Sequence, residues 1–456
     1  MKYAPLVLIL AASAAPMCGA QTVSNAPQGV LASAAGTSAG AAGNGLPARG
    51  DSLALLQFLA RTAIEHSPQI REASAATRAA HMDTEETKGA RWPKLDVTAN
   101  SRTANFGGSS AVSDGSTGRL GLTATYNLYD AGRTSSLIKS REFSELSASA
   151  KIALARESVA FDTVSAYLEM IRQQKTVALY VEHIARLTAL VSKLEQVVQA
   201  FAGRRSELTQ ANARLGQARD GMDSALARQR SVRLSLARLL GSDALIPPRE
   251  QKVPQFDLWS PAQSMPAALA HHPQLQSALA DTASLKASVL TAAANRRPQV
   301  DLEASKLSGR DINGNVTPGQ IYLAVRWNAF QGFSGQATER AAVERVTAAD
   351  ERYQQAKIDI EYKINNAWAD YQTSSIRLKA MRSLALETDQ VRKDYYVQWN
   401  DLARRSLLEV LTAENDHLST LLNLTNSEID EQIALAKGRF ESGTLADWMV
   451  GAAVAD

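Results

Sequence analysis

The chain has 456 residues, 45 % of them apolar and only 6 % aromatic, so it can bury sizeable cores. Its wealth of Ala, Leu, Ser, Gln and Arg favours long helices over compact mixed domains. A formal net charge of +3 is too balanced for a nucleic-acid partner, and six scattered histidines with one cysteine, Cys18, offer neither a disulfide nor a spaced metal-ligand set.

Residues 1–20, "MKYAPLVLILAASAAPMCGA", carry one lysine, an apolar run from Leu6 to Ala15 and small residues at Cys18 and Ala20. This is the pattern of a secretory signal peptide cut after Ala20, which removes the cysteine. Residues 21–50 form an Ala/Gly/Ser tract too poor in large apolar residues to repay the entropy of ordering, and are expected to be a flexible leader. The tract holds a literal G-x-S-x-G at Gly36–Gly40, but without the flanking strand and helix that strain a nucleophile elbow.

From Ser52 to Arg91 the periodicity is helical, with a break near Pro68. After Pro93 it changes to alternation. Leu95, Val97 and Ala99 oppose Asp96, Thr98 and Asn100, and after a Gly/Ser loop at Gly107–Gly118, Leu120, Leu122, Ala124 and Tyr126 oppose Thr123, Thr125 and Asn127. Strands are therefore expected at about 94–107 and 119–130. Helices follow at 134–202 and 204–240. The first has no Gly or Pro and would be ~100 Å long at ~1.5 Å per residue. The second shows a heptad seam through Leu208, Ala211, Leu215, Ala218, Met222 and Ala225, weakened by Gly216 and Gly221.

A Pro-rich connector at 241–262 precedes a second copy of the same programme. "HSPQI" from His66 answers to "HHPQL" from His271, "WPKLDV" from Trp92 to "RPQVDL" from Arg297, and "YNLYD" from Tyr126 to "WNAFQ" from Trp327. "GRRSELTQANAR" from Gly203 answers to "ARRSLLEVLTAE" from Ala403. Four matches in one order are an internal duplication, with repeats at 51–240 and 263–440 and a tail at 441–456. In the second repeat the strands fall at about 299–307 and 320–330, and a Gly- and Pro-free helical hairpin at 336–437. His271 and His272 stand at a helix start, where packing or solvation suits them better than metal ligation.

No segment of the mature chain has the ~20 consecutive apolar residues of a membrane-spanning helix. Four short amphipathic strands cannot close a barrel alone, and an open sheet in lipid leaves several kcal/mol per unsatisfied group, so several copies must share one barrel. Tyr126, Trp327 and Phe330 stand near strand ends, where an interfacial aromatic girdle sits. Read without regard to a membrane, the same hairpins would be a soluble sheet packed on the helices.

The duplicated helix-strand-strand-helix plan, the Asn-x-aromatic-Asp at Asn127–Asp130 and "RRSLLEVLTAE" resemble the TolC-like outer-membrane efflux and secretion channels over about residues 51–440. The resemblance implies a mainly α fold with a small β part, in which three chains build a twelve-stranded outer-membrane β-barrel continued by a periplasmic α-helical coiled-coil tunnel. It implies a homotrimer in outer-membrane lipid, a periplasmic adaptor (membrane fusion protein) and an inner-membrane ABC or proton-driven transporter, with no cofactor. The periplasmic tip that docks the adaptor would be Gly203, Arg204, Arg205 and Ser206 with Ala403, Arg404 and Ser406, Gly203 being left-handed to end its helix. Arg405 matches a gating arginine and Glu409 an acidic lumen position, each a ring under threefold symmetry. Thr209 replaces the aspartate that pairs there in some members. The competing reading of Arg405 and Glu409 is an ordinary i,i+4 surface pair. Relatives that carry a lipid offer an alternative for Cys18, although Met17 is bulky for the lipoprotein peptidase.

No zinc-protease, phosphate-loop or dinucleotide motif is present, so an enzyme is not expected. "GRRSELTQANARL" looks most like the type I secretion branch, with small-molecule efflux as the alternative and a non-channel coiled-coil scaffold as the reading from another class.

Overall fold

The structure, a computed structural model, describes residues 52–100, 119–200, 202–246, 252–308, 318–402 and 404–451. The expected signal peptide, the leader with its Gly36–Gly40 motif, Cys18, the strand residues at 101–107 and Ala403 lie outside the described residues.

Each repeat begins with a helix pair: α1 (Ser52–His66) and α2 (Pro68–Gly89) in the first, α5 (Pro261–His271) and α6 (Pro273–Ala294) in the second. The "HSPQI" and "HHPQL" motifs make the joints. In both, Pro sits at the first helical position, where its missing N–H costs nothing, and the residue before it caps the helix. Ser67 Oγ accepts from Ile70 N at 3.4 Å, and His272 Nδ1 accepts from Gln274 N at 3.1 Å. His272 is buried, which pushes its imidazole down to about 4 and keeps it a neutral acceptor.

Four strands, β1 (Lys94–Asn100), β2 (Arg119–Tyr129), β3 (Gln299–Leu307) and β4 (Gln320–Arg326), form one antiparallel sheet in the order β1-β2-β3-β4. The two hairpins thus join through β2 and β3, with a bulge between Asn127 and Tyr129. β4 stops at Arg326 and not at Phe330. β3 starts at Gln299, opposite Arg326, so nothing remains for residues 327–330 to pair with, and the chain turns instead into the next helix. Both sheet-to-helix corners use two successive left-handed residues, Ala131–Gly132 in one repeat and Gly332–Phe333 in the other. At the first corner the Asp130 carboxylate accepts from Gly132 N at 3.0 Å and Thr134 N at 2.7 Å, which seats the helix that follows.

That helix, α3 (Arg133–Ala200), spans 68 residues and is answered by α4 (Arg205–Leu240). In the second repeat α7 (Ser334–Asn400) is answered by α8 (Leu407–Glu441). The seam expected on α4 is its packed face, with Ala211, Leu215, Ala218, Ala225 and Leu236 buried. Gly221 has a packing reason, since the Tyr180 ring lies where a Cβ would project. The helices form a wall in which α3 packs on α2, α4, α6 and α8, while α7 packs on α6 and α8. Basic residues of α3 face acidic residues of α8: Arg172–Asp430 at 2.7 Å, Lys175–Glu428 at 2.6 Å and Arg186–Glu414 at 3.0 Å.

The connector is a packed strap. Val253, Phe256 and Trp259 are buried in the main core, Phe256 N donates to Gln432 Oε1 at 2.8 Å, and the Trp259 indole lies over Gly438 of α8. The tail also has more structure than its sequence suggests. Leu445–Val450 form a short helix, α9, whose first N–H groups, from Leu445 and Ala446, donate to the buried Glu157 carboxylate of α3, both at 3.1 Å. Burial pushes that carboxyl up to about 8 despite the two donors. A second apolar cluster sits near the helix turns, where Leu187, Leu190 and Leu194 meet Leu215, Trp399, Leu407 and Leu411.

Candidate functional site

The sheet register sorts the strands into two unlike faces. Leu95 pairs Ala124, Val97 pairs Leu122, Tyr126 pairs Leu302, Leu302 pairs Leu323, and Val300 pairs Val325. Leu95, Val97, Leu120, Leu122, Ile321, Leu323 and Val325 are exposed on this face. The opposite face carries Asp96, Thr98, Thr123, Thr125, Asn127, Asp301, Glu303 and Tyr322. Its polar groups are joined to one another: Asn127 Nδ2 donates to Asp301 Oδ1 at 2.7 Å, Tyr322 Oη donates to Glu303 Oε2 at 2.7 Å, and Arg326 pairs with Glu303. A sheet apolar outside and hydrogen-bonded inside suits a barrel wall between lipid and water. No described helix is long and apolar enough to cross a membrane.

Among the described residues β1 pairs only with β2 and β4 only with β3, so both edges are open. The helical wall ends likewise. α7 buries Ala349, Ala356, Ile360, Ala367, Leu378 and Ala385 against its own chain. On the opposite side it exposes Ile358, Tyr362 and Ile376. Tyr362 and Ile376 are 69 % and 70 % exposed. A helix apolar on two opposite faces needs a neighbour on both.

At the far end of each hairpin lies a turn. The first is a short 3-10 turn, Ala202–Arg204, entering α4. Gly203 is not left-handed there. The tighter winding reverses the chain at ordinary φ, and a Cβ on Gly203 would meet nothing within 4 Å. Arg204 pairs with Glu207 at 2.7 Å, and Thr209 Oγ1 donates to Arg205 O at 3.1 Å, within its own helix. The second turn closes differently. Arg404 N donates to Gln398 O at 3.0 Å, and Ser406 opens α8 with a capping box, its Oγ accepting from Glu409 N at 3.3 Å while Ser406 N donates to Glu409 Oε2 at 2.9 Å. The Ser-x-x-Glu spacing carried that signal in the sequence.

Glu409 is therefore engaged twice, since Arg405 Nη1 donates to its other oxygen at 2.5 Å. The Ser406 N–H, then Arg405, hold its carboxyl below the usual range. Arg405 also donates to Gln398 Oε1 at 3.1 Å and lies 4.3 Å from the Tyr395 ring centre. The structure thus brings Arg405, Ser406 and Glu409 together and leaves Thr209 bonded to its own helix. Of the aromatics, Tyr126 lies on the apolar face, Trp327 donates its indole N–H to Arg296 O at 3.1 Å, and Phe330 packs edge-on against Phe333 at 5.5 Å. Exposed Trp92, Tyr129 and Phe333 belong to the same end of the sheet. Phe333 escapes a sequence reading because it follows the strand in a left-handed corner.

Residues 59–242 match the family described as outer membrane efflux protein. The outer membrane efflux protein BepC of Brucella suis is 21 % identical over 383 residues, covering 82 % of this chain and 81 % of BepC. These matches liken the chain, and residues 59–242 in particular, to the outer membrane efflux proteins. A second curated relative, protein CyaE of Bordetella pertussis, is 26 % identical over 336 residues, 70 % of this chain and 69 % of its own. The fold agrees with the Campylobacter jejuni CmeC outer membrane channel at a TM-score of 0.74 and 16 % identity, covering 86 % of each chain. The likeness supports an outer-membrane location with the helical part extending into the periplasm, and the proteins matched are described as outer membrane efflux proteins and channels.

Proposed function

We propose that three copies of this chain form the exit duct of a tripartite export machine, conducting substrate passively from an inner-membrane transporter and its periplasmic adaptor to the exterior. One observation carries the reading: the sheet is left open along both edges, β1 and β4, and the helical wall along the second apolar face of α7. A heterologous contact of this kind closes into a ring, and four strands from each of three copies make a twelve-stranded barrel large enough for a lumen. Lipid would cover the Leu95–Leu323 face, and the polar Asp301–Glu303–Tyr322 face would line the passage.

The tip at Gly203–Ser206 and Ala403–Ser406 is assigned to the adaptor. Threefold repetition would make Arg405 and Glu409 charged rings at the narrow end, each pair held in place by the Ser406 cap. Cargo is assigned to secreted polypeptide through the likeness of "GRRSELTQANARL" to the type I secretion branch. The likeness to BepC, an outer membrane efflux protein, supports small molecules as the second reading.

The duct is tested by native mass and planar-bilayer conductance of the purified protein: three copies and a steady ion current are expected, and a non-conducting monomer overturns the reading. Arg405→Ala should raise single-channel conductance, and an unchanged value reduces Arg405 to a surface ion pair. Deleting the gene decides the cargo, by loss of a large secreted protein or by sensitivity to small toxic compounds.

A further inference from the structure

The α3–α8 ladder has one rung unlike the others. Arg172–Asp430 and Lys175–Glu428 are partly exposed pairs of permanent charges, whereas Glu414, the rung nearest the turns, is buried and shared. Arg186 of α3 donates to its Oε2 at 3.0 Å, and Arg392 of α7 donates to its Oε1 at 3.2 Å. His183 Nδ1 of α3 stands 3.8 Å from Oε2 and makes no hydrogen bond. One turn along α8, buried His417 uses Nδ1 toward Thr388 Oγ1 at 3.0 Å, and its Nε2 lies 3.6 Å from Asp389. Asp389 itself is held by Arg392 at 2.6 Å and Lys393 at 2.5 Å.

We propose that this cluster is an acid-sensitive clasp between the two helical hairpins: with His183 and His417 uncharged Glu414 holds both hairpins, and protonation of the pair parts them near the turns.

The charges facing the two imidazoles are Arg186 from α3, Asp389 and Arg392 from α7, and Glu414 from α8. α4, which also packs on α3, brings Leu215, Ala218 and Gly221 and no charge. Two cations stand against two anions, so two added protons leave an excess of two positive charges around the buried Glu414, His183 and His417 side chains. Burial first, with Arg186 and Arg392 assisting, holds His183 down to about 4 and His417 below its usual value, although Glu414 and Asp389 oppose this. The sign follows. A histidine whose pKa is depressed in the closed contact stabilises that contact above the solvated value of about 6.5, and the contribution is lost as pH falls through about 4. The apolar seam of Leu187, Leu190, Leu407 and Leu411 resists parting and keeps the response on the acid side. The rungs at Arg172 and Lys175 carry no histidine, which confines the movement to the tip. That the movement widens the passage rests on the duct reading; the movement itself does not.

The test is a spin-label distance in the full chain, with Gln210→Cys reporting α4 and Thr412→Cys reporting α8 in a Cys18→Ser background, labelled chains being diluted with unlabelled ones. The expected result is one distance at about pH 7 and a longer one that becomes the majority by about pH 4. His183→Asn/His417→Asn should abolish the change, and Glu414→Gln should give the longer distance already at neutral pH. Where the double variant does not assemble, His417→Asn alone should cut the widened fraction at a given acid pH by about twofold. A wild-type distance constant over the range, an undiminished response in the histidine variants, or a Glu414→Gln protein that stays closed overturns the clasp. None of these readouts needs conductance, so failure of the duct and failure of the clasp are told apart.

Discussion

Gly438 and Gly203 both interrupt sequence that is otherwise strongly helical, and their surroundings give them opposite consequences. A Cβ on Gly438 would fall 2.4 Å from the indole of Trp259, which is itself buried and has no room to retreat. Gly438→Ala should therefore cost about 1–3 kcal/mol through overpacking, read as a lowered melting temperature of the purified protein in detergent. Gly203→Ala meets open space at ordinary φ, and should leave the melting temperature unchanged or raise it slightly. Ala403 at the matching position of the other repeat agrees with this tolerance. The sequence shows where these glycines are. It does not show that an aromatic ring 179 positions upstream of one of them occupies the space a methyl group would need.

At the scale of elements, period is legible and ends are not. The change from helical spacing to alternation at Pro93 locates β1, because a half-buried sheet demands a period of two whatever its neighbours. The end of β4 depended on where β3 begins, 27 residues upstream of Arg326, and the connector and tail became ordered through Gln432 and Glu157 in distant helices. The two sheet faces permit a paired substitution. Leu323→Arg, on the apolar face, should cost about 2–4 kcal/mol in lipid and deplete the protein from the outer-membrane fraction. Thr123→Arg, on the polar face, should be recovered there at near wild-type level. Equal recovery of both would mean that this sheet does not face lipid.

For the molecule as a whole, the exposed stripe of α7 distinguishes an isolated chain from a ring. Ile376 is 70 % exposed in the single chain, so Ile376→Asp should be nearly neutral for a protein that works alone. If the stripe is an interface, the same change buries an unpaired carboxylate at every junction, and native mass should move from three copies toward one. The sequence by itself determined the duplication, the helix and strand periods and the presence of strands too few to close alone, because these are set by composition and spacing along the chain. Only the tertiary structure decided which face of α7 is left without a partner, where the strap and tail dock, and that two histidines 234 residues apart share one buried carboxylate cluster. Those facts depend on which helices meet, and that is settled by packing across the wall, for which local periodicity carries no record.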